Sequence, residues 1–108
     1  MNFITEEDEL VINKKGLHCL YFYGQWVPFH KKMIIMLQKM EEQFEMKYDG
    51  IDVDYFKPLC KRFEITSVPT VLILKNGKEY KRIVGMVMTS ACRATFLKAV
   101  VKKKEEQI

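Results

Sequence analysis

The stretch Leu17-His18-Cys19-Leu20-Tyr21-Phe22-Tyr23 constrains this chain more than any other part of it. It is apolar or aromatic almost throughout, so it lacks the apolar-polar alternation of a strand with one wet face. It reads as a central strand covered on both sides, which requires strands along its edges and helices above and below. At 108 residues the chain is long enough to bury such a core and too short for two, so residues 1–108 are taken as one domain.

On either side of that strand the pattern changes period. Thr5, followed by Glu6, Glu7 and Asp8, looks like a helix cap with an acidic first turn, giving a short helix that Gly16 closes. Beyond 24–28, Met33, Met36, Leu37, Met40 and Phe44 recur at helical spacing, so a long amphipathic helix is predicted to about Met46. Its methionine stripe has one face to offer the sheet and is read as core rather than as a promiscuous binding face.

Residues 50–54 read as a strand and 55–63 as a helix with Pro58 in its first turn. Residues 71–74 and 80–84 form two strands around Lys75-Asn76-Gly77-Lys78, and Asn-Gly between apolar runs is a strong hairpin signal. A last helix begins near Thr89 or Ser90 and turns Phe96, Leu97 and Val100 inward, and a short strand at 2–4 precedes everything. Strands joined through helices run parallel with right-handed crossovers, whereas a hairpin is antiparallel. The expectation is an α/β fold with a mixed four- or five-stranded sheet and helices on both faces.

Charge and sulfur narrow the function classes. The formal net charge is +4, but the basic residues are scattered except for Lys102, Lys103 and Lys104, which Glu105 and Glu106 follow at once. No aromatic residues interleave them, so a solvated helix end is read there and no nucleic-acid partner. Cys19, Cys60 and Cys92 are odd in number and far apart, which argues against a disulfide framework and for a reducing compartment. The first nine residues carry four acids and no greasy run, and no segment approaches the ~20 apolar residues of a membrane span. A cytoplasmic monomer without membrane contact is the expectation.

Three strings then carry a family resemblance. Tyr21-Phe22-Tyr23-Gly24-Gln25-Trp26 resembles the strand and turn that deliver the active site of thioredoxin. Thr66-Ser67-Val68-Pro69-Thr70 resembles that family's cis-proline loop, and Leu74-Lys75-Asn76-Gly77-Lys78 with Gly85 resembles its terminal hairpin. They fall in family order, and the resemblance runs from about residue 5 to residue 103. It implies a thioredoxin fold and a cis peptide before Pro69.

The same resemblance implies what is missing. Where the family has Trp-Cys-X-X-Cys-Lys, this chain has Trp26-Val27-Pro28-Phe29-His30-Lys31. Dithiol exchange needs an acidic thiolate to attack and a second sulfur to resolve the mixed disulfide, and neither Val27 nor His30 supplies one. The family's buried aspartate falls on Tyr21, and its nearby lysine falls on Gly50 when Asp54 is aligned with the acid ending that strand. No catalytic residue and no cofactor is therefore assigned.

What the resemblance leaves is a docking groove in which the backbone of Val68, beside Pro69, meets an extended segment. Trp26, Val27, Pro28, Phe29, Gly85 and Met86 border it, and the expected partner is a protein or peptide segment. Trp26 is open between rim and simple packing. His30 has no companions for a metal and is read as filling a lost cysteine's space, while His18 is read as a satisfied core or edge histidine. Cys19 and Cys60 are read as small core residues. Two alternatives stay open: a residual oxidoreductase using Cys92 or another thiol as a monothiol with glutathione, where a helix cap at Thr89 would place Cys92 in the first turn beside Arg93, and a scaffold subunit of a larger assembly.

Overall fold

The computed structural model describes residues 1–85 and, beyond them, Ala94. The predicted last helix, Met86 and Cys92 lie outside the described residues. The order is β1 (Asn2–Phe3), a 3-10 turn (Glu7–Glu9), β2 (Leu17–Tyr23), α1 (His30–Gln43), β3 (Lys47–Asp52), α2 (Lys57–Arg62), β4 (Thr70–Lys75) and β5 (Lys78–Val84). The five strands form one mixed sheet in the order β1-β3-β2-β4-β5. β3 is parallel to β1 and β2, whereas β4 is antiparallel to both β2 and β5. Among the described residues no helix is long and apolar enough to cross a membrane.

β2 is the centre, and all seven of its residues are buried. Because side chains alternate across a strand, Leu17, Cys19, Tyr21 and Tyr23 pack on one side with Met33, Met36, Leu37 and Met40 of α1. Leu20 and Phe22 pack on the other side with Ile4, Leu10, Ile51, Leu59 and Leu72. The methionine stripe is core, as its spacing indicates.

The hairpin forms where Asn-Gly predicts it. Asn76 and Gly77 both have positive φ, 53° and 82°, which a two-residue turn of this hand requires. The turn is also tied across the molecule: Gly16 N–H donates to Asn76 Oδ1 at 2.7 Å, and Asn76 N–H donates to the Gly16 carbonyl at 2.9 Å. On the edge strand β5, Glu79 and Lys81 are exposed, and such charges discourage pairing with another chain.

Four elements differ most in extent from the sequence expectation. The helix predicted over 5–16 shrinks to the turn Glu7–Glu9. Glu9 Oε1 collects hydrogen bonds from Thr5 N–H, the Thr5 hydroxyl and Glu6 N–H, which closes a local loop, and Leu10 leaves it extended to reach the core. α1 stops at Gln43 rather than near Met46, with Phe44 N–H donating to the Met40 carbonyl at its end. α2 likewise occupies only Lys57–Arg62 of the predicted 55–63.

The difference at β3 has the largest physical cause. β3 begins at Lys47, three residues before the predicted start, and ends at Asp52. Its early part holds Asp49, which is fully buried. A carboxylate is tolerated there because His18 Nε2 lies 2.6 Å from Asp49 Oδ2, and Asn2 Nδ2 donates to Oδ1 at 3.1 Å. His18 Nδ1 accepts the Asn13 N–H at 3.2 Å, so the hydrogen of the neutral ring is on Nε2 and points at the acid. His18 is thus the satisfied core histidine, and its partner was hidden thirty-one residues away.

Burial alone would raise the Asp49 pKa, but the hydrogen bonds from His18 and Asn2, with the charge of Lys47, bring it below the usual carboxylate value. Ionisation of Asp49 therefore favours the folded state. That contribution is complete above the unfolded value of about 3.9 and is lost as pH falls through the lower folded value. Removing the acid strands a buried imidazole N–H, so Asp49→Ala is expected to lose about 3 kcal/mol in urea denaturation.

Candidate functional site

The parallel strands β2 and β3 end together, and the site is built on the loops that leave them. After Tyr23 the chain turns at Gly24, where Val27 N–H donates to the Gly24 carbonyl and His30 N–H to the Val27 carbonyl. A Cβ on Gly24 would lie 2.8 Å from the indole of Trp26, so glycine is needed for the ring to fold back over the turn. Trp26 stays 66% exposed, and its Nε1–H donates to Asp54 Oδ2 at 3.1 Å. The aligned acid at position 54 is thereby a fastener for the tryptophan.

His30 opens α1, with its ring stacked on Tyr23 at a centroid distance of 4.6 Å. Tyr21 Oη lies 3.0 Å from His30 Nδ1, so in the Nε2–H tautomer the Tyr21 hydroxyl donates to the ring. Tyr21 and Tyr23 stack on each other at 5.3 Å. Burial lowers the His30 pKa, opposed by the charge of Asp52, and burial pushes the Tyr21 phenol far above its ordinary value. The trio is neutral around pH 7 and holds no sulfur. Phenol and imidazole stand where the resemblance places the buried acid and the second sulfur of dithiol exchange.

Gly50, at the position of the lysine implied by the resemblance, pairs directly with Tyr21 across the sheet. A Cβ there would stand 2.6 Å from the Phe3 ring. Phe3 fills the space a longer side chain would need.

The second loop carries Val68 and Pro69, and the peptide bond between them is cis. Pro69 is buried, its carbonyl accepts Gly85 N–H at 2.8 Å, and the Thr70 hydroxyl donates to the Ser67 carbonyl at 2.8 Å. Val68 is half-buried. It shares with Trp26 an open groove of about 520 Å³, continued by Val53, Lys57, Cys60 and Ile65.

The structure thus brings Trp26 and Val68 together, with Pro69 beneath the loop and Gly85 held to it. Val27, Pro28 and Phe29 lie on the neighbouring turn and do not line this groove. Asp54, Lys57 and Cys60, which sequence reasoning left out of the site, do line it, and only the alignment of Asp54 pointed that way. Cys60 is half-buried rather than a full core residue, and burial, with Asp52 and Asp54, raises its pKa. Burial raises that of Cys19 much further. Both of these thiols are free and pack on opposite sides of the sheet, so among the described residues no two cysteines are paired. Among the described residues no group of three or more His, Cys, Asp or Glu is placed to hold a metal ion.

The sequence profile of the thioredoxin family matches residues 3–102. Thioredoxin-1 of Saccharomyces cerevisiae is 34% identical over 82 residues, covering 75% of this chain and 80% of that protein. Thioredoxin-2 of the same yeast is 29% identical over 82 residues, covering 75% and 79%. Among solved structures, thioredoxin NaTrxh from Nicotiana alata superposes with a TM-score of 0.78 at 24% identity, covering 94% of this chain and 90% of that one. Oxidised mitochondrial thioredoxin 3 from Saccharomyces cerevisiae does so at 0.78 and 23%, covering 94% of each.

Two measurements check this site. In an NMR pH titration the His30 midpoint is expected below the ordinary value of about 6.5, and Asp52→Asn should lower it further because the Asp52 charge favours the imidazolium. Trp26 is the only tryptophan, so Asp54→Ala should change its emission and lower its anisotropy while costing less than about 1 kcal/mol of stability.

Proposed function

Since this chain belongs to the thioredoxin family, we propose that it keeps the family's means of holding a protein segment without the dithiol chemistry, and acts as a binding module. The observation that carries this reading is the content of the α1 tip, where Val27 and His30 stand at the sulfur positions and Tyr21 is hydrogen-bonded to His30. A thiol-disulfide exchange requires a thiolate, and the described thiols have raised pKa values.

Two features support a segment-binding role. Trp26 is two-thirds exposed yet anchored through Asp54, so it offers rigid aromatic surface at little entropic cost. Val68 sits at the other side of the same groove, on a loop fixed by Pro69, Thr70 and Gly85. An extended segment would lie along Val68 by backbone pairing and place an apolar side chain against Trp26. Lys57 and Asp54 at the rim would bias the partner's flanking charges.

Purified protein is expected to reduce a protein disulfide no faster than free thiol. The double variant Val27→Cys with His30→Cys supplies both sulfurs and is expected to gain measurable turnover, slow because Tyr21 replaces the acid. Placing a charge in the groove with Val68→Lys should cut recovery of a co-purifying partner at least about tenfold, the effect of burying an unpaired charge. Wild-type turnover at thioredoxin-like rates, or unchanged recovery with Val68→Lys, overturns the reading.

A further inference from the structure

Asp52 ends β3 and is only 4% exposed. Its Oδ2 accepts Gln25 Nε2–H and its Oδ1 accepts Asp54 N–H, each at 2.9 Å. Both donors are neutral, and among the described residues no cation pairs with Asp52. A buried carboxylate without a countercharge is uncommon, because desolvation is costly and only opposite charge repays it fully.

That carboxylate lines a cleft of about 450 Å³, within the range of small-ligand sites, on the other side of the Gly24–Trp26 turn from the Val68 groove. Phe3, Tyr23, Tyr55 and Phe56 line it too, together with Gln25, and no basic residue does. Phe3 and Tyr23 meet nearly at right angles, 5.7 Å apart. Tyr55 is 76% exposed, the most exposed large apolar side chain among the described residues. The backbone holds this arrangement, since the Asp52 carbonyl accepts both Tyr55 N–H and Phe56 N–H. The charge of Asp52 acts into the cleft, where after burial it is the next cause raising the Tyr23 pKa.

We propose that this cleft binds a methylated ammonium group, with the four aromatic rings as its walls and Asp52 as the countercharge. Aromatic rings attract such cations electrostatically, and attract them more strongly where water is excluded. The hydrogen bonding selects the class of cation. Each Asp52 oxygen already accepts one hydrogen bond and keeps one further lone pair, and the walls are mainly rings, so the three donors of a primary ammonium or the five of a guanidinium could not all be met within the cleft. A methylated ammonium asks for charge and apolar contact and for few acceptors. An anion would meet Asp52, and a neutral apolar group would leave it uncompensated. The site is separate from the Val68 groove and does not depend on the segment-binding reading.

The test is ¹⁵N NMR titration of the full chain with choline and, in parallel, with 3,3-dimethylbutan-1-ol, its neutral isostere. Choline is expected to give saturable shifts at Gln25, Tyr55 and Phe56, and the isostere to bind at least about tenfold more weakly. Tyr55→Ala removes an exposed ring and should weaken choline about threefold, while Asp52→Asn should weaken it at least tenfold. If Asp52→Asn fails to fold, Tyr55→Ala and the isostere still decide. Val68→Lys should leave choline binding unchanged. Free trimethyllysine and the same residue within a peptide distinguish a small-molecule ligand from a modified protein side chain, and tighter or equal binding of the peptide both support the site. Equal binding of the isostere, unchanged affinity in Tyr55→Ala, or no saturable shift with any cation overturns the proposal.

Discussion

A strand that is buried on both faces and hydrogen-bonded on both edges cannot leave a polar side chain without a partner. β2 is such a strand, and its two most deeply buried polar side chains are His18 and Tyr21. His18 is answered by Asp49 and by the Asn13 amide, and Tyr21 by His30. Each answer comes from a different part of the chain, so the strand organises the N-terminal segment, β3 and the start of α1 at once. Tyr21 and His30 then form a single unit. With a phenol at position 21 rather than a carboxylic acid, the group above it must accept or share a hydrogen, and an imidazole at position 30 does so where an alkyl group would not.

Much of the fold is legible from local period. The unbroken run 17–23, the helical spacing of Met33, Met36, Leu37 and Met40, and Asn76-Gly77 each carry their structure within a few residues. The failures occur where a distant partner decides. Lys47-Tyr48-Asp49 reads as too polar for a strand until His18 is placed against it. The acids after Thr5 suggest a longer helix, but Glu9 folds back on Thr5 and Glu6, and Leu10 is drawn into the core. Local preference is a weak prior, and burial overrides it in both cases.

The candidate site was legible through resemblance more than through residue chemistry. Trp26 and Val68 share a groove, as the two loops of the family lead one to expect. Composition could not show that the cavity continues toward Lys57 and Cys60, because that depends on where α2 begins. Its start is set by the Asp52 carbonyl, which accepts from Tyr55 and Phe56 and delays the helix to Lys57. The same two-residue delay exposes Tyr55 and creates the aromatic cleft, a feature with no local signature in the sequence.

Both cavities flank one turn, and that turn is fastened along its length. Val53 N–H donates to the Tyr23 carbonyl, Gln25 to Asp52, Trp26 to Asp54, and Asp54 N–H back to Asp52. A turn held in this way presents an ordered surface, and an ordered surface has less entropy to lose on binding. The acids at 52 and 54 therefore fix the surface that the Gly24–Trp26 turn presents. Relaxing either hydrogen bond would change the shape of the cavity on its own side before it changed the sheet beneath.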